Sequence, residues 1–357
     1  MATLRCQRYP DEHYLTLFNP DTGFFVRAEE PGHNEPFWSA HGPEMLDISI
    51  TSWCSKECET CYRVSGRKGS HMAFSDYENV IRQAAQLGAT QVALGGGNPN
   101  EHPRFAEILR LTRRDYGIVP NYTTNGHGLS AGVLRASAEF CGAVALSAYE
   151  PYSFLANAIR KLRDHGVRTN LHFVLDAQSA EIALAWLQDP PEFMRWVNAI
   201  VFLNYKPVGR GARQHRLLRY YGSCRNLIKT ATRGRQGFKV GFDSCMVSGL
   251  VTAGRVNPVW FDACEAARFT MFVSEQLQMY PCSFMETLHP GIRLTETTML
   301  DAWKHGESFR ATRRTLRNPR CGGCHMQPVC HGGCPVFPEI NLCDEPATTC
   351  GVHEVLT

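Results

Sequence analysis

The chain has 357 residues, of which 43% are hydrophobic and 20% are charged, and its formal net charge is +3. This composition is ordinary for a globular protein, the length allows one large domain or two, and so small a charge gives no argument for binding nucleic acid. The N-terminus lacks the apolar core of a signal peptide and no apolar run is long enough to span a membrane, so we expect a cytoplasmic protein without a membrane partner.

At the N-terminus, two apolar runs, Tyr14–Phe18 and Phe24–Arg27, flank the turn sequence Asn19-Pro20-Asp21-Thr22-Gly23. This arrangement predicts a β-hairpin. We expect residues 1–45 to form an N-terminal β-hairpin extension that caps an edge or an end of the main domain.

Residues 46–204 then alternate between strand and helix patterns. The predicted strands are Leu46–Thr51, Gln91–Leu94, Val119–Thr123, Ala143–Ser147, Thr169–Leu175 and Ala199–Asn204. The predicted helices are Phe74–Leu87, with Ser75 as its N-cap, Pro103–Thr112, Ser130–Glu139, Tyr152–His165 and Ala180–Leu187. This alternation predicts an α/β fold with a parallel sheet, either curled into a partial barrel or open, and ligands bind beyond the carboxyl ends of such strands.

Cys54, Cys58 and Cys61 follow the first of these strands in a Cys-x3-Cys-x2-Cys pattern, with Tyr62 next in the chain. An iron–sulfur cluster usually takes four Cys ligands, so three thiolates leave one iron open to a substrate or cofactor. A zinc site would need a fourth ligand, which His71 could supply by folding back, and disulfide frameworks belong to small secreted chains. The pattern therefore favours a [4Fe-4S] cluster.

Polar and glycine-rich motifs occupy the ends of the following strands. They are Leu94-Gly95-Gly96-Gly97-Asn98-Pro99 and Thr123-Thr124-Asn125-Gly126, then Ser147, and then Asn170 and His172 on one face of the fifth strand. Glycines allow a backbone to approach a ligand closely, although an ordinary tight turn is the alternative here. For His172, a buried core histidine is as good an interpretation as a cofactor contact.

These motifs together resemble the radical S-adenosylmethionine (SAM) enzymes. The resemblance implies a partial (β/α)6 TIM-type barrel over residues 46–240, with SAM bound to the open iron and its adenine near Tyr62 or Thr60. It also implies SAM contacts from Gly95, Gly96, Gly97, Asn98 (where the family usually has Glu), Thr124, Asn125, Ser147, Asn170 and His172. A reductant such as flavodoxin or ferredoxin would reduce the cluster, and SAM cleavage would give a 5′-deoxyadenosyl radical that abstracts a substrate hydrogen.

Eight of the fifteen cysteines form a second dense group, between residues 264 and 350. Clustered thiols in a cytoplasmic chain indicate metal binding. The run Cys321-x2-Cys324-x5-Cys330-x3-Cys334, with Cys264, Pro281-Cys282, Cys343 and Cys350 around it, resembles the SPASM domain, which we place at residues 241–357. A zinc ribbon at residues 321–334 is the alternative.

The resemblance to the SPASM domain implies two auxiliary [4Fe-4S] clusters. One would be held by Cys321, Cys324, Cys330 and a late cysteine, for which we favour Cys350 over Cys343. The other would be held by Cys264, Cys282 and Cys334, with Cys245 as the fourth ligand or an open iron in its place.

The same resemblance implies an oxidoreductase-like enzyme that cross-links, oxidises or epimerises a side chain of a precursor peptide or protein. One alternative is an enzyme that acts on a small metabolite, by dehydrogenase or carbon-skeleton chemistry. A less favoured alternative is a non-catalytic iron–sulfur redox protein. Ser283 stands where sulfatase-maturing relatives have Asp, which argues against that branch. Tyr149, Glu150, Asn204, Lys206 and Arg210 follow strand ends and are expected at the substrate side, with no catalytic role assigned.

Overall fold

The computed structural model describes residues 4–234, 236–253, 256–318, 321 and 323–343. Within them the strands are β1 (Arg5–Tyr9), β2 (Tyr14–Phe18), β3 (Phe25–Glu29), β4 (Met45–Thr51), β5 (Gln91–Gly96), β6 (Val119–Thr124), β7 (Val144–Ser147), β8 (Thr169–Leu175), β9 (Ala199–Asn204), β10 (Lys239–Phe242), β11 (Thr270–Val273), β12 (Gln278–Tyr280) and β13 (Ile292–Arg293).

The helices are α1 (Phe74–Gln86), α2 (Phe105–Arg110), α3 (Ala131–Phe140), α4 (Tyr152–Asp164), α5 (Ala180–Gln188), α6 (Gly222–Ala231), α7 (Val247–Ala253), α8 (Met299–His305), α9 (Glu307–Arg317) and α10 (Gln327–Cys330). In the described part of the chain, no helix combines the length and the apolar character needed to cross a membrane.

The main sheet has the strand order β10-β9-β8-β7-β6-β5-β4-β11-β12-β13. Strands β4 to β9 each pair in parallel with their neighbour in the chain. Helices connect them, and α1 packs Tyr77, Val80, Ile81 and Ala84 into the core at helical spacing. The predicted α/β class is confirmed, and the carboxyl ends of these strands lie along one rim.

Alternation along the strands explains the two faces of the sheet. On β8, Leu171, Phe173 and Leu175 are buried, whereas Asn170 and His172 alternate with them and are only half-buried. Since successive strand residues point to opposite faces, the apolar set packs against the helices and the polar set faces the inside of the curved sheet.

One prediction along these elements is wrong: Ala73, not Ser75, is the N-cap of α1, and Ser75 lies inside the first turn. Residues 205–245, for which no helix or strand was predicted, contain α6 and the parallel strand β10. The β10 sequence Lys239-Val240-Gly241-Phe242 is short and contains a glycine, so its strand signal is weak.

The C-terminal segment continues the sheet. Strand β11 pairs in parallel with β4, and β12 and β13 follow antiparallel. Two helices of this segment, α8 and α9, follow one another and are separated by Gly306. The boundary that we place between residues 240 and 241 falls within β10.

The N-terminal extension is a three-stranded antiparallel sheet in the order β1-β2-β3. The predicted hairpin is present as β2 and β3. Strand β1 was not predicted, because its sequence is polar and mostly exposed and so lacks alternation. Arg27 on β3 anchors the extension, since its Nε donates to Glu44 Oε2 at 2.7 Å and it also contacts Glu265 of the C-terminal segment.

Candidate active site

The three thiols of Cys54, Cys58 and Cys61 lie together in the loop after β4. Cys54 is buried and the other two are half-buried. Burial raises the pKa of the Cys54 thiol, and Cys58 and Cys61 add to this through like charge. Asn125, at the end of β6, donates from Nδ2 to Cys54 Sγ at 3.5 Å. The loop thus presents a compact set of sulfur donors at the carboxyl rim of the sheet.

This donor set fits an iron–sulfur cluster. Thiolates are the usual ligands of such clusters, and each binds a separate iron atom. Among the described residues, no group of three His, Cys, Asp or Glu side chains is placed to ligate one single metal ion. His71 lies beside Thr51 instead, with 2.8 Å between His71 Nδ1 and Thr51 Oγ1.

The glycine motif after β5 packs against the cysteine loop. The Gly97 amide donates to Thr51 O at 2.6 Å, and a Cβ on Gly97 would lie 2.0 Å from Trp53 O. Gly96 has a φ of +113°, and its Cβ would lie 2.0 Å from Thr51 O. By contrast, apart from Gly95 and its two chain neighbours, no heavy atom of the described residues lies within 4 Å of the Cβ position of Gly95. Gly96 and Gly97 therefore allow the backbone to pack closely against the cysteine loop, whereas Gly95 borders open space.

Arg210 holds the same loop from its other side. Its guanidinium donates to the main-chain carbonyls of Cys58, Val64 and Ser65 at 2.9, 3.1 and 2.9 Å. Gly209, with a φ of +81°, brings this segment so close that a Cβ would lie 2.4 Å from Tyr62 O. Arg210 thus contacts the cysteine loop rather than lining a substrate side.

Asn98 is fully buried, and both ends of its amide are bonded. Its Oδ1 accepts from Thr124 Oγ1 at 2.8 Å and from the Asn125 amide at 3.3 Å, and its Nδ2 donates to His127 O at 3.1 Å. Asn98 and Thr124 therefore fix the turn that carries Asn125 to the cysteine loop.

The remaining predicted SAM contacts lie on β7 and β8. Ser147 and His172 are register partners, and His172 Nδ1 lies 3.4 Å from Thr123 Oγ1. Asn170 accepts from Asn198 Nδ2 at 2.8 Å. Burial lowers the pKa of His172 to about 4, which keeps the imidazole neutral. These residues form a half-buried polar floor inside the curved sheet.

Tyr62 and Tyr149 lie on either side of the loop. The Tyr62 ring packs against Phe284 at 4.7 Å between ring centroids. The Lys56 ammonium lies 5.0 Å from the centroid of the Tyr149 ring. Burial of its hydroxyl group, with Cys58 and Cys61 nearby, raises the pKa of Tyr149 to about 12, although 39% of the residue is exposed. Both rings therefore border the thiols.

A buried ionic network that the sequence did not reveal joins the loop to the C-terminal segment. Arg63 Nη2 donates to Glu275 Oε2 at 2.7 Å, and its Nη1 lies 2.6 Å from Glu286 Oε2. Ser49 Oγ also donates to Glu275 Oε2, at 2.6 Å. Arg63 stands next to Tyr62 and is visible in the motif, but no local pattern links it to Glu275.

A second group of thiols, which we name the four-thiol site, consists of Cys245, Cys264, Cys282 and Cys334. The Cys245 thiol is hydrogen-bonded to that of Cys334, and this bond together with burial raises its pKa. Burial also raises the pKa of Cys264, and the neighbouring Cys245 and Cys282 add to the shift. The residues that we expect at one auxiliary cluster are therefore brought together.

Cys321, Cys324 and Cys330 form the third group. Burial raises the pKa of Cys330 to about 11, and Cys321 and Cys324 contribute through like charge. Cys343 is exposed, and Cys350, our favoured fourth ligand, lies outside the described residues.

Comparison with known proteins agrees with this geometry. The model of the Radical SAM superfamily matches residues 48–183. The chain is 22% identical over 330 residues to the PqqA peptide cyclase of Rhodopseudomonas palustris, covering 82% of each. It is 22% identical over 310 residues to the mycofactocin maturase MftC of Mycobacterium ulcerans, covering 82% of this chain and 83% of the relative.

A solved structure shares the fold over nearly the whole chain. The crystal structure of Streptococcus suis SuiB bound to precursor peptide SuiA superposes with a TM-score of 0.73 at 14% identity, covering 98% of this chain and 100% of that one. The predicted partial-barrel class is thereby confirmed. Residues 48–183 therefore match the radical SAM domain, and the fold of the chain around them is shared with SuiB.

Proposed function

We propose that this enzyme cleaves SAM at a [4Fe-4S] cluster and modifies a side chain of a precursor peptide. The observation that carries the proposal is the gathering of three thiols, from Cys54, Cys58 and Cys61, at the rim of a curved sheet with a polar inner face. Cys54, Cys58 and Cys61 would hold the cluster, which would supply the electron for reductive cleavage of SAM and so a radical able to abstract a substrate hydrogen atom.

The protein's own residues divide into two sets in this proposal. Asn98, Thr124, Gly96 and Gly97 hold the cysteine loop in place. Gly95, Asn125, Ser147, Asn170 and His172 border the space in which SAM would lie. Tyr62 and Tyr149 lie beside the thiols, where they would border a bound cluster.

Similarity to peptide-modifying enzymes supports a peptide substrate. The relatives include a peptide cyclase and a maturase, and the superposed structure contains a precursor peptide. The product-mass experiment below identifies the bond that is made or broken in the peptide. The reductant that we propose is a flavodoxin or a ferredoxin.

We further propose two auxiliary clusters. The four-thiol site would hold one, because four sulfur donors from distant parts of the chain, two buried and two half-buried, meet there. Cys321, Cys324 and Cys330, with Cys350, would hold the other. About twelve irons per chain fit three four-iron clusters, about eight fit two, and about four irons plus zinc would support the ribbon alternative.

Anaerobically reduced protein, given SAM, tests the first step. We expect release of 5′-deoxyadenosine, and we expect none from the Cys58→Ala variant. Intact clusters without any release would favour the redox-protein alternative.

Product mass tests the substrate. Short peptides encoded beside the gene are incubated with reduced enzyme and SAM in deuterated water. Loss of two hydrogens fits cross-linking or oxidation, and deuterium uptake without that loss fits epimerisation. Turnover of free metabolites alone would contradict the peptide proposal.

A further inference from the structure

Lys206 follows β9 at the carboxyl rim, where a solvated residue on the substrate side is the expectation. Instead its side chain is only 5% exposed. Placing a lysine in such a position is costly unless the ammonium is paired. The surroundings of Lys206 therefore decide what its charge does.

The ammonium is fixed by two contacts. Lys206 Nζ lies 2.5 Å from Asp243 Oδ2 and 4.8 Å from the centroid of the Phe284 ring. Asp243 is itself held, because its Oδ1 accepts from the Asn204 amide at 3.2 Å. Burial would lower the pKa of Lys206, but Asp243 and Cys245 outweigh it and raise that pKa, so the side chain stays charged.

The charge is directed at the four-thiol site. Asp243 stands two positions before Cys245, and Phe284 stands two positions after Cys282, so the ammonium lies between the segments that carry these two thiols. Cys334 packs in the same apolar cluster as Cys245 and Phe284. One buried cation thus lies beside thiols from three separate segments.

We propose that Lys206 is a positioning residue that stabilises negative charge at the four-thiol site and so raises the reduction potential of the cluster held there. Cluster potentials depend on the charge and exposure of their surroundings, and a reduced cluster carries one more negative charge than an oxidised one. The proposal rests on the auxiliary cluster assigned above to the four-thiol site.

The test is a redox titration of the reconstituted full chain, followed by electron paramagnetic resonance. The signal of the four-thiol site is identified by its loss in a Cys264→Ser variant. We expect Lys206→Met to shift the midpoint potential downward, by at least a threefold change in the reduction equilibrium, where tenfold is about 59 mV for one electron. Lys206→Arg should keep the wild-type value.

Two further variants keep the test decisive. Lys239→Met is the matched control, because it removes an exposed lysine of β10, and it should leave the potential unchanged. Asp243→Asn removes the counter-charge and should shift the potential upward. If Lys206→Met fails to hold iron, the upward shift of the midpoint potential in Asp243→Asn is the result that tests the proposal.

Two results would overturn the proposal, and they are distinct. An unchanged potential in Lys206→Met with full iron content, or in Asp243→Asn where Lys206→Met loses iron, rejects the role of Lys206 alone. If the Cys264→Ser variant has the same iron content and the same spectrum as wild type, the auxiliary cluster is rejected, and the proposed role of Lys206 is rejected with it.

Discussion

Arg210 donates from Nη1 to the main-chain carbonyl of Cys58 at 2.9 Å, so a residue after the sixth strand of the barrel fixes the loop after the first. The contact is to backbone, and it holds the loop whether or not its thiols are ligated. Loop geometry at this site is therefore set by the fold as well as by a bound cluster.

Replacing Arg210 should loosen that loop. Arg210→Met removes three hydrogen bonds from a charged donor, each worth about 1.5–3 kcal/mol and not additive. We expect release of 5′-deoxyadenosine to fall at least about tenfold, with lower iron retention at the cysteine loop. Arg213→Met is the control, because Arg213 lies in the same segment as Arg210 but its side chain forms an exposed ion pair, with Glu59. Equal losses in both variants would contradict the specific role of Arg210.

The glycine motif predicts two different outcomes from the same substitution. Gly97→Ala places a methyl group 2.0 Å from Trp53 O and should displace the cysteine loop, with loss of iron. Gly95→Ala meets open space among the described residues and should keep its iron while binding SAM more weakly. Iron analysis and equilibrium dialysis with labelled SAM measure the two effects. Retention of both iron and SAM by Gly97→Ala would refute the packing argument.

Asn98 should act through stability. Asn98→Ala leaves the donors of Thr124 and Asn125 without their buried acceptor, at a cost of about 1–3 kcal/mol for each unsatisfied group. We expect urea unfolding of Asn98→Ala to show a loss of about 2–4 kcal/mol, whereas Asn98→Asp keeps the acceptor and loses less. A variant with wild-type stability that has lost only SAM affinity would make Asn98 a direct ligand contact instead.

His172 should make the protein less stable in mild acid. Its pKa in the folded chain is about 4, below the usual histidine value of 6.5, so the unfolded chain takes up the proton first as pH falls. The His172 contribution is complete above pH 6.5 and is lost as pH falls toward 4. Between about pH 7.5 and about pH 5.5 the free energy of unfolding should drop by about 1 kcal/mol more in wild type than in His172→Gln. Parallel pH profiles in urea unfolding would exclude this effect.

Local sequence patterns were sufficient to predict the strands of the barrel and the thiol cluster at its rim. The strands from Leu46 to Asn204 were found because polar and apolar residues alternate or run together there, and the spacing of Cys54, Cys58 and Cys61 is itself local. The C-terminal cysteines were grouped only through the resemblance to a family.

Contacts between distant segments were not predictable in this way. Ser75 has the composition of an N-cap, but the chain enters α1 at Ala73. Arg210 and Lys206 are charged residues that follow a strand end, which is typical of solvated rim residues. Arg210 instead binds main-chain carbonyls, and Lys206 is buried against Asp243. Such roles depend on which segments meet in space, and nothing in the residues nearby encodes that.

Strand β11 has a consequence for folding and for truncation. By pairing with β4 it covers the side of the strand that leads into the cysteine loop. A chain cut before residue 264 would expose the backbone donors and acceptors of β4, a sheet edge open to other molecules. Such a fragment should aggregate rather than behave as an independent catalytic unit, and the N-terminal half of the enzyme should mature only after its last third has been synthesised.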